Sequence, residues 1–592
     1  MTLNNNKISI TKKLILILGI VFFVVQLSMA QDETDIESFK GKWEEIKKAK
    51  PVDVHGGFNS QFGFNQMIGM PLNREPFIMA LNANLRFNFY GIIDMPMSIN
   101  YNNRQVSRDM KNPLKEMWEG IISKTGFSPK YKWVTLHLGE RSMNFSQYTY
   151  SGIMFYGVGL ELKPPKSIVD FSSFFGRLQK PLNPDTLRNT PMKPTYERWG
   201  SGAKIGLGKK KHRVELMYFH AKDKVNSIDT LSPIYGVKPL ENLVVGISTK
   251  NNLFERINIK GDYIMSAYTS DLRTPIRRVE EEYNYFNNLG DLFRPMLSTR
   301  YNRVFIIGID YTADLYNIGV SRKRVDPTFV SLGSLSVDND VEEYTINGSI
   351  ALFESKVNLS GNVGKQYNNL DRTNLNQMSR FIYAANISYL INKNWNVSGN
   401  YSNNSSSTSP TYLNLIDSIK LMQLNQNFAT NVSYNFGEKL KHAFMVGSNL
   451  QLADDIQDIN NSQTVNSTKV QSHNAGYSLL VPDWQTNSTL SYMLTIVDAS
   501  GMKNLSRGPN LQVRKTLWEK KISINIGGGM LENFVDNQSN GNTINFRFGA
   551  MLKLEKYHSV KFDNSIIRKN DTQNPDKSFT DIQWKLGYNF DF

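Results

Sequence analysis

The feature that most constrains the fold is a strict apolar–polar alternation at the end of the chain. From Ile582 to Phe592, large apolar side chains occupy every second position, and polar or small ones lie between them. Side chains alternate across a β-strand, so this segment has one apolar face and one polar face. The apolar face comprises Ile582, Trp584, Leu586, Tyr588, Phe590 and Phe592, and the polar face comprises Gln583, Lys585, Gly587, Asn589 and Asp591.

The same alternation recurs upstream, in the segments Ile544–Leu554, Ile522–Ile526, Val432–Phe436 and Val357–Val363. A transmembrane barrel needs a lipid-facing apolar column beside a lumen-facing polar column, with every backbone group paired. The pattern therefore predicts an all-β fold, a large single-chain transmembrane antiparallel β-barrel.

The connections between these segments also alternate in length, as short periplasmic turns and long external loops do in such barrels. Counting back from Phe592 gives about 24 strands. The range is roughly 22–26, because strand boundaries are poorly defined in one sequence. Trp395, Trp484 and Trp518 fall at short turns, where an interfacial aromatic belt is expected. The longer polar stretches are 325–341, 403–424, 453–469 and 497–507.

The N-terminus carries an export signal. Lys7, Lys12 and Lys13 precede the apolar run Leu14–Leu27, and small residues lead to Ala30. This order predicts a signal peptide over 1–30, with a single membrane anchor as the alternative. We then expect a periplasmic tail over 31–56, the barrel over 57–592, and an outer membrane of a Gram-negative bacterium as the location.

Several kinds of chemistry are missing from the sequence. The chain has no cysteine, so disulfides, thiolate zinc sites and cysteine nucleophiles are excluded. No motif of a metalloprotease, serine hydrolase, P-loop or dinucleotide site is present, so we predict no enzyme, no catalytic, cofactor or metal residues and no cofactor. Carboxylates at 338–343 and 454–458 fit either a calcium site or solvated acidic loops.

Four segments lie outside the strand pattern. Residues 32–50 form either a solvated tail or a docking segment that uses Trp43, and 113–124 resembles an amphipathic helix on the periplasmic side that closes the barrel mouth or packs on its rim. The connections 180–197 and 269–300 would be external. The aromatic content of 269–300 favours folding over or into the lumen.

The alternation also assigns lumen charges and partners. Lys356, Arg547, Lys553 and Lys585 are predicted to face the lumen. The C-terminal residues Trp584, Leu586, Tyr588, Phe590 and Phe592 resemble the signal read by the outer-membrane assembly machinery. The expected partners are outer-membrane lipid, that machinery during insertion, and possible proteins at the tail or external loops. Nucleic acid is not expected for an exported chain.

Gly126–Gly157, Glu197–Ser227 and Val325–Asp371 resemble a family of poorly characterised outer-membrane β-barrel proteins from Bacteroidota. The resemblance covers most of the mature chain and implies an outer-membrane barrel without a catalytic residue. Architecture alone does not fix function.

Two functions fit these observations. The first is a loop- or partner-gated passage for polar or anionic solutes or polymers, because so many strands enclose a wide lumen. The full sequence has a net charge of +15, and removal of the three lysines of the predicted signal would leave +12 on the mature chain. The second is a scaffold or accessory subunit of an outer-membrane protein-assembly or secretion complex. A barrel enzyme ranks a distant third.

Overall fold

The computed structural model describes residues 50–592 except 73, 91–92, 103–124, 184–193, 229–235, 280–282, 411–419, 460–461, 500 and 555–556. The signal peptide, the tail up to residue 49 and the amphipathic segment 113–124 lie outside the described residues. No helix within the described ranges is long and apolar enough to cross a membrane.

The described residues form one antiparallel sheet that closes on itself. Apart from β4 and β5, each strand pairs with the next along the chain, and β1 also pairs with β27, with Gly57 opposite Asp591. The short segments β4 and β5 both lie between β3 and β6, so they occupy one position in the wall. The described chain is therefore a closed barrel of 26 strands, which confirms the predicted fold and is close to the predicted strand number.

The first half of the wall contains β1 (Val52–Ile68), β2 (Phe77–Phe89), β3 (Ile93–Asn102), β4 (Gly126–Phe127), β5 (Lys130–Tyr131), β6 (Val134–Ser142), β7 (Met154–Leu162), β8 (Val169–Gln179), β9 (Arg198–Gly208), β10 (His212–Asp223), β11 (Glu241–Leu253), β12 (Ile257–Thr269), β13 (Thr299–Thr312) and β14 (Tyr316–Val325). The second half contains β15 (Val341–Leu352), β16 (Val357–Tyr367), β17 (Asn376–Leu390), β18 (Trp395–Pro410), β19 (Lys420–Phe436), β20 (Lys441–Ile459), β21 (Ser462–Val481), β22 (Thr486–Ala499), β23 (Met502–Leu517), β24 (Ile522–Val535), β25 (Gln538–Lys553), β26 (His558–Asn570) and β27 (Phe579–Asp591). Within the described residues, two short 3₁₀ helices lie in connections, at Asn284–Asn288 and Pro575–Lys577.

The barrel wall begins earlier than the sequence predicted. Because β1 starts at Val52, residues 52–56 belong to the wall and not to the tail. The reason is their pairing with β2, which runs from Val52 opposite Phe89 onwards.

The two ends of the barrel differ in their connections. Val52 and Phe592 lie at the same end as the short turns, and we call this the turn end; the opposite end is the loop end. Turns of outer-membrane barrels are periplasmic, so the turn end is assigned to the periplasm. The periplasmic position of 113–124 stays a prediction, because that segment lies outside the described residues.

Several strands extend far past the membrane at the loop end. β19, β20 and β21 have 17, 19 and 20 residues, whereas about 9–11 tilted residues cross a bilayer. Much of the polar stretches 403–424, 453–469 and 497–507 is therefore strand, and not loop as predicted. These segments are polar on both faces because water surrounds the projecting hairpins.

The alternation places an apolar surface on the outside. On paired strands β15 and β16, Ile346 and Leu359 point outward, and Asn347 and Ser360 point into the lumen. Ile346 is 55% exposed, as a side chain that contacts lipid would be. A closed barrel with an apolar exterior and paired backbone spans an outer membrane, which is where this chain belongs.

Candidate functional site

Two loops from the loop end meet inside the barrel. They are the first inner loop (143–153, between β6 and β7) and the second inner loop (326–340, between β14 and β15). The backbone N–H of Ser151 donates to the carbonyl of Gly333 at 2.8 Å. Because many strands separate their starting points, the loops can meet only across the lumen. Together we call them the partition.

An aromatic cluster holds the partition to the wall. The ring of Tyr150 lies 4.3 Å from that of Phe174 and 5.5 Å from that of Phe219, between centroids. Tyr148 meets Phe329 edge-on at 6.2 Å. Tyr150 is fully buried, its hydroxyl donates to a carbonyl of its own loop at 2.8 Å, and burial raises its pKa. These contacts make a compact apolar core inside the lumen.

Buried polar side chains fix the second inner loop. The side chain of Asn242 on β11 donates to Ser266 Oγ at 2.8 Å and accepts the N–H of Leu332 at 2.9 Å. Ser266 in turn donates to the carbonyl of Val330 at 2.6 Å. Buried networks whose members are all paired are rigid, so the partition is a fixed part of the wall.

Glycine makes room for this core. A Cβ on Gly202 of β9 would lie 2.5 Å from a ring atom of Phe174 and 2.8 Å from one of Phe145. A Cβ on Gly333 would lie 2.5 Å from the carbonyl oxygen of Thr149. The partition therefore fits only because both positions lack a side chain.

The opposite side of the lumen is hydrophilic and accessible to solvent. Around the partition, the lumen-facing residues Val244, Ile264 and Val304 are fully buried. We call this part of the wall, from β6 to β15, the closed side. From β16 to β27, the open side, lumen-facing amides and hydroxyls are exposed to solvent. They include Asn358, Ser360, Asn386, Ser388, Asn400, Asn431, Asn474, Asn487, Asn510 and Gln512.

The aromatic outer loop, 270–298, packs on the outside of the barrel. Its Phe286 and Phe293 are buried against Leu243 of β11 and Ala267 of β12. The same face of β11 carries exposed Ile247 and is the lipid side. The expectation that this loop closes the lumen is wrong, because its aromatic side chains find an apolar partner on the outer wall.

The predicted lumen charges divide into two groups. Arg547 and Lys553 on β25 and Lys585 on β27 lie on the lumen-facing positions of their strands and are exposed. Lys356 lies instead in the turn between β15 and β16, so it is not part of the wall as predicted. The register of the strand begins one residue later, at Val357.

The predicted aromatic residues lie at the turn end. Trp395 opens β18, and Trp484 and Trp518 are exposed in turns. Phe592 closes the barrel, since its N–H donates to the carbonyl of Gly56 at 2.9 Å. Trp584, Leu586, Tyr588 and Phe590 lie on the outer face of β27. The belt and assembly-signal roles stay predictions.

The acidic clusters are used locally. Asp340 accepts the backbone N–H groups of Asn369 and Leu370 at 2.8 and 2.9 Å, and Asp454 accepts the hydroxyl of Ser467 at 2.5 Å. Within the described ranges, no group of three or more metal-ligating side chains comes together. These carboxylates order loops and hairpins there.

The partition was missed in the sequence, although a signal for it was present. Leu243–Val245 and Val304–Ile307 are apolar at consecutive positions, so both faces of β11 and β13 avoid water. A membrane barrel strand with two apolar faces needs a partner inside the lumen as well as lipid outside. The aromatic residues of 143–153 are that partner.

Comparisons with known proteins give only distant likenesses. No protein-family model matches the chain, and no curated protein matches it. Among solved structures, the P pilus usher PapC translocation pore matches with 8% identity and a TM-score of 0.34, over 91% of this chain and 99% of that one. The FrpB iron transporter of Neisseria meningitidis matches with 12% identity and a TM-score of 0.36, over 93% and 82%. The ferric enterobactin receptor of Pseudomonas aeruginosa matches with 8% identity and a TM-score of 0.40, over 92% and 81%.

Likenesses this weak carry no argument about function. The resemblance to Bacteroidota barrels also stays a prediction.

Proposed function

We propose that this outer-membrane barrel is a passage for hydrophilic solutes that runs along the open side of the lumen. The observation that carries the proposal is the contrast between the two sides. Buried apolar and aromatic side chains fill the closed side, whereas exposed amides and hydroxyls line the open side. A wall of neutral hydrogen-bonding groups suits polar solutes, which exchange water contacts for contacts with the wall.

The partition narrows this passage without gating it. Its side chains pack on several strands and are hydrogen-bonded to them, so the partition stays in place. A fixed partition of this kind keeps a wide barrel from being a wide hole in the membrane, and no moving gate is required. The passage then has a fixed width, set by how much of the lumen the inner loops fill. A fixed partition differs from the predicted closure of the lumen by 269–300, because that loop lies on the outside of the barrel.

Cysteine scanning tests the path of the solute, and the chain is suited to it because it has no native cysteine. Asn431 and Val432 are neighbours on β19, with Asn431 in the lumen and Val432 on the lipid face. In planar bilayers, a bulky charged methanethiosulfonate should lower the current of Asn431→Cys and leave that of Val432→Cys unchanged. A conducting protein in which Asn431→Cys does not respond would contradict a path along this wall.

Swelling of liposomes in neutral sugars tests the passage itself. The wild-type barrel should admit a small sugar at a rate that falls with sugar size. If neither the wild type nor a variant with a shortened second inner loop admits sugar or conducts ions, the proposal is wrong. Stoichiometric co-purification of a second protein in mild detergent would then favour the scaffold function.

A further inference from the structure

A hollow lies in the lumen wall of the open side, near the turn end. It consists of two adjoining cavities of about 610 and 300 Å3 on β21–β26. Arg514, Ser523 and Met551 line both cavities, so we describe them as one site, the basic hollow. These side chains occupy lumen-facing positions on three neighbouring strands.

The basic hollow carries uncompensated positive charge. Arg514, Lys520 and Lys553 line its larger part. Within the described residues, none of the three has a carboxylate oxygen within 4.0 Å, whereas Lys561 in the smaller part pairs with Asp563 at 2.9 Å. Cations gathered in a concave wall attract anions more strongly than scattered surface charges do, because the wall displaces screening water.

Neutral hydrogen-bonding groups surround these cations. Gln485 and Asn487 line the larger part, and Gln512 and Asn525 line the smaller part. The amide of Gln512 donates to that of Asn525 at 3.2 Å, which leaves further donors and acceptors on both side chains. The hollow thus combines groups for an oxyanion with groups for hydroxyls.

Two further lumen cations lie outside the basic hollow. Arg547 and Lys585 face the same lumen from β25 and β27, yet neither lines the basic hollow. They lie outside the two cavities that contain Arg514, Lys520 and Lys553. They therefore serve as a matched pair for separating a local site from the general positive field of the lumen.

We propose that the basic hollow is a binding site for small hydroxylated anions, such as sugar phosphates, on the turn-end side of the passage. This inference rests on the proposed function for the route by which such solutes arrive. The fork of Arg514 suits two oxygens of one phosphate, and the ammonium groups of Lys520 and Lys553 add point charges. The four amides bind the hydroxyl groups of the sugar.

Glucose 6-phosphate and glucose are the probes for this site. In planar bilayers, glucose 6-phosphate should block the wild-type current, and glucose at equal concentration should not. The variant Arg514→Gln/Lys553→Gln should need about tenfold more glucose 6-phosphate for the same block, since each lost charge-assisted hydrogen bond weakens binding substantially. The control Arg547→Gln/Lys585→Gln removes the same charge from the same lumen and should stay within about twofold of the wild type.

Calorimetric binding of glucose 6-phosphate to the detergent-solubilised barrel gives a second readout that needs no conduction. Binding that is weakened in Arg514→Gln/Lys553→Gln and kept in the control supports the site, even if the barrel does not conduct and the passage is wrong. Equal loss in both variants, or no binding by a wild type that passes glucose, overturns the site and leaves the passage intact. Folding of each variant is checked by the change in its gel migration on heating.

Discussion

At the scale of single residues, the partition depends on positions without a side chain. Gly202 is one, because the rings of Phe174 and Phe145 occupy the space that a Cβ would take. We expect Gly202→Val to lower the free energy of unfolding in urea by about 1–3 kcal/mol, the usual cost of overpacking.

Gly476 on β21 is the matched control for this substitution. It also faces the lumen, but a Cβ there would meet Ser491 Cβ at 3.6 Å and the carbonyl oxygen of Leu490 at 3.7 Å, which is ordinary contact. Gly476→Val should therefore leave the unfolding midpoint unchanged. Equal destabilisation by both substitutions would mean that the partition does not pack against Gly202.

At the scale of elements, the outer loop has its own pH dependence. Asp271 accepts two hydrogen bonds from Arg273, at 2.9 and 3.0 Å, and these bonds lower the pKa of its carboxyl group. A carboxylate whose pKa is lower in the folded loop stabilises it above the unfolded value of about 3.9, and the contribution disappears as the pH falls through the folded value.

A dye on Ile276→Cys, an exposed position of the same loop, reports this change. Its fluorescence should be constant from pH 7 to about pH 4 and shift below that, since the unfolded pKa lies near 3.9. Asp271→Asn should remove the acid shift. Asp291→Asn, which breaks an exposed pair with Arg294, should keep it. An acid shift that survives in Asp271→Asn would contradict the assignment.

The inner and outer loops should differ in their effect on conductance. Replacing 328–338 of the second inner loop with a short Gly–Ser linker removes part of the partition, and we expect the single-channel conductance to rise by about twofold as the closed side opens. The same replacement of 275–296 in the outer loop should leave the conductance unchanged, because the buried aromatic residues of that loop pack on the outer wall. A rise in the second variant and not in the first would reverse the assignment of the two loops.

At the scale of the whole molecule, the sequence predicts the barrel wall better than it predicts the loops that fill the lumen. The period of two and the short turns follow from contacts between strands that are neighbours along the chain, so β16, β25 and β27 were predicted with the right faces. The partition joins Tyr150 to Phe219 and Ser151 to Gly333, which are distant along the chain. No periodicity encodes such contacts. The position of the outer loop was mispredicted for the same reason. Its aromatic residues could pack on the inner or the outer face of the wall, and only the register of β11–β13 shows which face is apolar there.

The barrel as a whole also has a predicted orientation. Long loops and projecting hairpins at one end, and short turns with both ends of the wall at the other, place the loop end outside the cell and the turn end in the periplasm. Thr373 is exposed between β16 and β17 at the loop end, and Glu438 is exposed in the turn between β19 and β20 at the turn end.

Single cysteines at these two positions test the orientation, because the chain has none of its own. A polyethylene-glycol maleimide too large for the lumen should label Thr373→Cys on intact cells. It should label Glu438→Cys only after the outer membrane is permeabilised, when access to both ends becomes equal. Labelling of Glu438→Cys alone on intact cells would mean that the barrel is inserted the other way round, and the basic hollow would then face the outside of the cell.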